Sequence, residues 1–171
     1  MKQAVVALGS SIGPSARLLG LAVSLLSATP GIDTVLPSRI FLTPPAGGVA
    51  RRPFLNAAVR ISTDLAPLAL LTRCRQIEVR LGRRPTRRWA DRLVDLDLLV
   101  YEDAEMNTSD LTLPHPRMHD RPFQLLPLLD CWPDAPGPWR GLAAGMRALP
   151  IVGDLRRTLP PAPRSAILTK C

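Results

Sequence analysis

Leu93-Val94-Asp95-Leu96-Asp97-Leu98-Leu99-Val100-Tyr101 is the stretch on which the fold depends. It is short and rich in leucine and valine, and it reads as a strand. Successive strand side chains leave on opposite faces, so Asp95 and Asp97 share one face while Leu96 and Leu98 share the other. Upstream, residues 83–92 form an arginine-rich loop, and Asp64 and Pro67 open a helix with an inner stripe of Leu68, Leu71, Cys74, Ile77 and Leu81. Gly82 ends that helix. Before it, Phe54 to Thr63 reads as a strand in which Leu55, Ala57, Val59 and Ile61 alternate with Asn56, Ala58, Arg60 and Ser62. The loop Thr43-Pro44-Pro45-Ala46-Gly47-Gly48 separates it from a further strand over Asp33 to Leu42. A first helix opens at Pro14-Ser15, carries Leu18, Ala22, Leu25 and Leu26, and stops at Pro30-Gly31; a first strand runs from Gln3 to Leu8.

The order is β-α-β-β-α-β. It predicts an α+β, ferredoxin-like core: an antiparallel sheet with helices packed on its faces in three α/β/α layers. Short helices are expected near Phe123–Leu129 and Gly141–Leu149. Residues 150–171 hold four prolines and a net charge of +3, and a loosely ordered tail is expected there, beyond a domain of residues 1–149.

At 171 residues, with 46% hydrophobic and 21% charged residues, the chain is long enough for one domain with its own core. No apolar run approaches the ~20 residues of a bilayer span. The opening Met1-Lys2-Gln3 leads into a strand rather than a signal-peptide core, and a cytoplasmic location is expected. Cys74, Cys131 and Cys171 are odd in number and form no CxxC, so neither a disulfide framework nor a zinc site is indicated.

The formal charge is +8, and 20 of the 22 basic residues are arginine. Eight of them fall between Arg73 and Arg92, against only Glu78 and Asp91. Such a run is either a solvated basic face or an anion site, because guanidinium groups bind phosphate oxygens in bidentate fashion at any relevant pH. The Asp95/Asp97 pair adds a second constraint. Two like charges side by side on a half-buried sheet face are costly without a cation. Paired carboxylates suit Mg²⁺, which completes its octahedron with water and substrate phosphates. An acidic ledge beside a cationic loop is the equipment of phosphoryl-type transfer. Neither a Walker sequence nor GxGxxG is present, so a nucleotide would be held by metal and arginine.

Several segments, taken together, resemble the 6-hydroxymethyl-7,8-dihydropterin pyrophosphokinase family of folate biosynthesis. They are Ala7-Leu8-Gly9-Ser10, Thr43-Pro44-Pro45, Phe54-Leu55-Asn56-Ala57-Ala58, Ile77-Glu78 with Leu81-Gly82-Arg83, and Trp89 through Arg92 to Asp95-Leu96-Asp97. Leu113-Pro114-His115-Pro116-Arg117 and Arg121-Pro122-Phe123 complete the set. The resemblance covers roughly residues 4–135 in the family's order. It implies transfer of the ATP β,γ-pyrophosphate to the pterin's hydroxymethyl oxygen, leaving AMP. On matching positions, Asp95 and Asp97 would hold two Mg²⁺ ions, and Arg83 and Arg92 would be catalytic arginines of a loop that closes over ATP. Arg75, Glu78, Arg84, Leu98, Thr112, His115 and Arg121 match ATP-binding positions. Thr43, Pro44, Ala46, Phe54, Asn56, Trp89 and Phe123 match the pterin site. There Phe54 and Phe123 would sandwich the bicycle, Asn56 would offer both ends of its amide, and Trp89 would be a lid. The expected partners are these two small molecules, without membrane or nucleic acid, and the expected state is a monomer.

Departures from the family pattern also stand out. Ser11 replaces the usual asparagine, and Trp89-Ala90-Asp91-Arg92-Leu93 replaces Trp-Gly-Pro-Arg-Thr. Asp91 would bring a negative charge beside the triphosphate. Two other readings therefore compete: a catalytically weakened paralogue that binds ATP and pterin or acts on a related pterin, and a basic nucleic-acid-binding module. The second lacks the exposed aromatic pattern of an RNA-binding sheet. His119 matches nothing and is expected on the surface.

Overall fold

Residues 1–45, 50–84, 91–102 and 104–157 are described in a computed structural model. The elements run β1 (Lys2–Ser10), α1 (Ser15–Ser27), β2 (Ile32–Pro37), β3 (Arg39–Thr43), β4 (Phe54–Thr63), α2 (Pro67–Arg80) and β5 (Asp95–Tyr101). A small hairpin, β6 (Met106–Asn107) and β7 (Thr112–Leu113), follows; then α3 (Pro122–Cys131), α4 (Trp139–Ala144) and β8 (Ile151–Asp154). The main sheet has the order β5-β1-β4-β3-β8, with β2 also paired to β4, and every pairing is antiparallel. This is the expected ferredoxin-like arrangement, with β1 and β4 at its centre.

The predicted strand over residues 33–42 is broken in two at Ser38. That residue is fully buried; its amide donates to Ala58 O (2.8 Å), while its Oγ accepts from Ala58 N and donates to Arg39 O. The side chain thus replaces a ladder bond and bends the strand, so that β2 pairs with the end of β4 and β3 with its start.

The period-two alternation of β4 holds. Leu55, Ala57, Val59 and Ile61 face α1 and α2 together with Ala4, Val6, Leu8, Leu96 and Leu98. On the opposite face Val5, Ala7, Ala58 and Leu99 pack against Leu125, Leu128 and Cys131 of α3 and Trp139 of α4. Central strand β1 is therefore apolar on both faces, as a strand between two helix layers must be. The stripe expected on α2 is shifted: Leu70, Cys74, Ile77 and Glu78 are the buried positions, whereas Leu68 is 45% exposed. Pro67 occupies the first helical turn, and Leu68 beside it faces away from the sheet. Gly82, at φ +89°, takes the left-handed conformation that stops α2.

Two expectations for the C-terminal part need adjustment. The helix placed at 141–149 is Trp139–Ala144, and the chain beyond 149 continues the sheet. In β8, Arg39 pairs with Asp154 and Ile40 with Gly153, and Leu155 is buried. Pairing with β3 anchors a segment whose prolines begin again only at 160; residues 158–171 lie outside the described part. Among the described residues, no helix is long and apolar enough to cross a membrane.

Candidate active site

The site lies on the α3 face of the sheet, at the end that α3 leaves uncovered. Register places it. Gly9 of β1 sits between Asn56 of β4 and Asp95 of β5, and Ala7 between Ala58 and Asp97. Small residues on the middle strand thus form a floor flanked by an amide on one side and two carboxylates on the other. A side chain at Gly9 would sit 3.6 Å from Asn56 Oδ1 and fill the floor. A cleft of about 360 Å³ opens above it, lined also by Thr43, Pro44, Phe54, Arg92, Arg121, Phe123 and Gln124. That volume suits a small-molecule ligand. A second cleft of about 400 Å³ lies behind, lined by Leu71, Arg75, Glu78, Leu98, Thr112 and the turn Thr108–Leu111. The two share Arg83, Asp95, Asp97 and His115.

Charge at that junction is tightly organised. Asp95 is gripped on both oxygens, by Arg83 Nη1 at 2.7 Å and Arg92 Nη1 at 2.5 Å. Arg83 also pairs with Glu78, whose Oε1 accepts the backbone N–H of Leu96 at 2.7 Å. A buried helix carboxylate thereby fixes both the start of β5 and the arginine. Burial raises the Glu78 pKa to about 7, with the Leu96 N–H and Arg83 opposing it. Burial, and then the charge of Asp95, raises Asp97 to about 6. A carboxylate held in that state is stabilised by an added cation, so the donor set fits a divalent metal that also binds phosphate.

His115 is carried to the junction by its N–H donating to Leu99 O (2.8 Å). The β1–β5 ladder shifts register there: Val6 pairs with Leu98 and Val5 with Val100, which leaves Leu99 as the extra residue of a bulge with a carbonyl to spare. Burial, then Arg121 and Arg117, lowers the His115 pKa, which favours the neutral ring. Its Nδ1 accepts the Arg117 N–H at 3.3 Å, which leaves Nε2 as the ring donor.

Phe54 and Phe123 are half-buried, lie outside both core clusters and line the first cleft. The Arg121 guanidinium lies 5.7 Å from the Phe123 ring centre. Asn56 differs from expectation. Its Nδ2 donates to Thr43 Oγ1 (2.9 Å) and to Phe54 O (3.4 Å), so only the oxygen is uncommitted. Arg84 is exposed and lines neither cleft. Ala46 and Trp89 lie outside the described residues. His119 is exposed beside Asp120, as expected. Cys74 and Cys131 are free and buried, and burial pushes both thiols to about 12, which leaves them inert.

Asp91, expected beside the triphosphate, lines neither cleft. Its carboxylate accepts from Ser11 Oγ (3.4 Å) and from the amides of Arg51 and Arg52 (3.3 Å each). Ser11 Oγ in turn accepts the Arg92 N–H at 3.0 Å. The two departures from the family pattern thus meet and bind each other. Gln124 and Arg117 line the first cleft without having been singled out from sequence. A glutamine in a first helical turn looks like a cap, and Arg117 is one arginine among twenty.

Residues 5–133 match the family described as 7,8-dihydro-6-hydroxymethylpterin-pyrophosphokinase. A relative from Methylorubrum extorquens, 2-amino-4-hydroxy-6-hydroxymethyldihydropteridine pyrophosphokinase, is 46% identical over 78% of this chain and 85% of its own. The Bacillus subtilis protein of the same name is 42% identical over 74% and 76%. Among solved structures, Plasmodium falciparum HPPK-DHPS with SDX-DHP superposes with a TM-score of 0.59 at 14% identity, a likeness of fold. The match covers 84% of this chain and 43% of that one, so this chain corresponds to less than half of the solved protein.

Proposed function

The chain belongs to the 7,8-dihydro-6-hydroxymethylpterin-pyrophosphokinase family, and from that premise we propose that it transfers pyrophosphate from ATP to 6-hydroxymethyl-7,8-dihydropterin in folate biosynthesis, leaving AMP. The observation that carries this reading is that two clefts meet at one carboxylate pair. One cleft has two half-buried aromatic rings and an amide, suited to a flat heterocycle; the other is polar and arginine-edged, suited to a nucleotide. A group moving between two substrates must pass where the clefts join.

In this reading the hydroxymethyl oxygen attacks the β-phosphorus, the bond to the α-phosphate oxygen breaks, and the hydroxyl proton is released. Phe54 and Phe123 stack on the pterin and hold its hydroxymethyl arm toward Asp97. Arg83 and Arg92, which stand at the junction on Asp95, hold phosphate oxygens as charge spreads over them. His115 donates a hydrogen bond from its Nε2–H to a phosphate oxygen and keeps its proton. Arg121 holds a further phosphate oxygen, while Arg75, Leu98 and Thr112 line the nucleotide cleft and Glu78 keeps Arg83 in place. Asp95 and Asp97 would hold Mg²⁺, two ions in all, which would supply neutralisation of phosphate charge. Trp89 and Ala46 complete the set of substrate contacts carried over from the family pattern, and Arg84, which lines neither cleft, is left out of it. We place the reaction in the cytoplasm, with one chain supplying a whole site. The assembled carboxylates and arginines favour an active enzyme over a weakened paralogue. Incubation with ATP, Mg²⁺ and the pterin alcohol should yield AMP in equal amount to pterin diphosphate on chromatography; ADP, or no pterin-dependent product, would overturn the proposal.

A further inference from the structure

Gln124 is 3% exposed and lines the first cleft, yet its Oε1 has no hydrogen-bond partner among the described residues. Its position three residues into α3 suggests a cap, in which a glutamine reaches back to the N–H just before the helix. That N–H, of Arg121, already donates to Met118 O at 3.1 Å, so the capping role is taken. The following residues of the helix, Leu125 and Leu128, are fully buried in the apolar cluster beneath. An apolar side chain at 124 would remove an unsatisfied buried amide and stabilise the unliganded protein. The amide therefore has a structural cost with no structural return.

A second observation gives it a purpose. A pterin edge alternates donors (the 2-amino group, N3–H and N8–H) with acceptors (the 4-oxo oxygen and ring nitrogens). Asn56 commits both amide hydrogens to Thr43 and Phe54 and has only an acceptor left. The ring's acceptors need a donor from elsewhere on the wall. The Gln124 amide, with no protein bond on its oxygen, can turn about its terminal torsion and present its NH₂ group to the cleft.

We infer that Gln124 is a specificity-determining residue of the heterocycle subsite, donating a hydrogen bond to the pterin edge that Asn56 is unable to supply. The inference rests on the pterin reading above. The test is equilibrium binding to the full chain of 6-hydroxymethyl-7,8-dihydropterin and, separately, of a nonhydrolysable ATP analogue with Mg²⁺, together with the melting temperature of the unliganded protein. Gln124→Met, and Gln124→Leu should methionine pack badly, is expected to weaken pterin binding about ten-fold or more. Nucleotide binding should stay within about two-fold of wild type, since only a neutral contact in the other cleft is lost. The melting temperature should be equal or higher. If wild type binds the pterin and the variants bind it equally well, this inference alone fails. Variants that melt lower and lose both ligands together show a structural residue, which also overturns it. Wild type that binds the nucleotide but no pterin overturns the substrate reading and this inference with it.

Discussion

The two faces of one sheet do opposite work in this protein. Toward α1 and α2, strands β1, β4 and β5 present Val6, Leu8, Val59, Ile61, Leu96 and Leu98, all buried in an apolar cluster. Toward α3, residues one position along on the same strands are Ala7, Gly9, Asn56, Asp95 and Asp97. Period-two alternation lets stability and chemistry occupy one backbone with little sharing of side chains, Leu96 and Leu98 at the edge of the second cleft being the overlap. Burial on the first face stabilises the domain, and the second face spends stability on desolvated carboxylates.

The contrast is sharpest between neighbours on β5. Asp97→Asn is expected to lower turnover by about 10²- to 10³-fold, in line with loss of one transition-state electrostatic contact. Its melting temperature above pH 6 should be unchanged or higher, because a poorly solvated charge is removed; near-normal turnover in this variant would break the division of labour. Leu98→Ala, one residue on, should cost about 2–5 kcal/mol in denaturant unfolding. Turnover per folded molecule should fall far less than with Asp97→Asn, although Leu98 also lines the nucleotide cleft.

The acidic groups also predict a pH dependence. Folding raises Glu78 to about 7 and Asp97 to about 6, so the folded state binds protons more tightly than the unfolded chain. Stability of the unliganded protein must then fall as pH rises from about 4, the ordinary carboxylate range, through 6 and 7. Melting followed across pH 5 to 8 in metal-free buffer should show that decline, and Glu78→Gln should flatten its upper part. A melting temperature that climbs across the same window would contradict it. The smallest effect is expected at Asp91, whose bonds from three donors are long and partly exposed. Asp91→Ala should change stability by about 1 kcal/mol or less and leave nucleotide affinity unchanged. Markedly tighter nucleotide binding would show that Asp91 acts on the triphosphate after all.

Much of this was legible before any fold was built. Asp95 and Asp97 on one face, Asn56 opposite the apolar run of β4, and the flanking phenylalanines all follow from local periodicity and matched segments. What escaped reading depends on contacts distant in sequence. Ser38 interrupts a strand because its hydroxyl bonds Ala58, twenty residues away. Leu70 rather than Leu68 is buried because of how α2 sits on the sheet. Asn56 loses its amino group to Thr43, and Gln124 loses its cap to Met118. The tail from 150 looked loose from its prolines and charge, yet Ile151–Asp154 found a free edge on β3.

Strand and helix periods are properties of neighbouring residues, so the chain alone specified which side chains leave on which face and that two carboxylates stand together. Folding alone decided which arginines close on Asp95, where α3 stops short of covering the sheet, and which amides are spent inside the protein. Those outcomes depend on pairing partners dozens of residues apart, and hydrogen-bond capacity is allotted only once the partners meet.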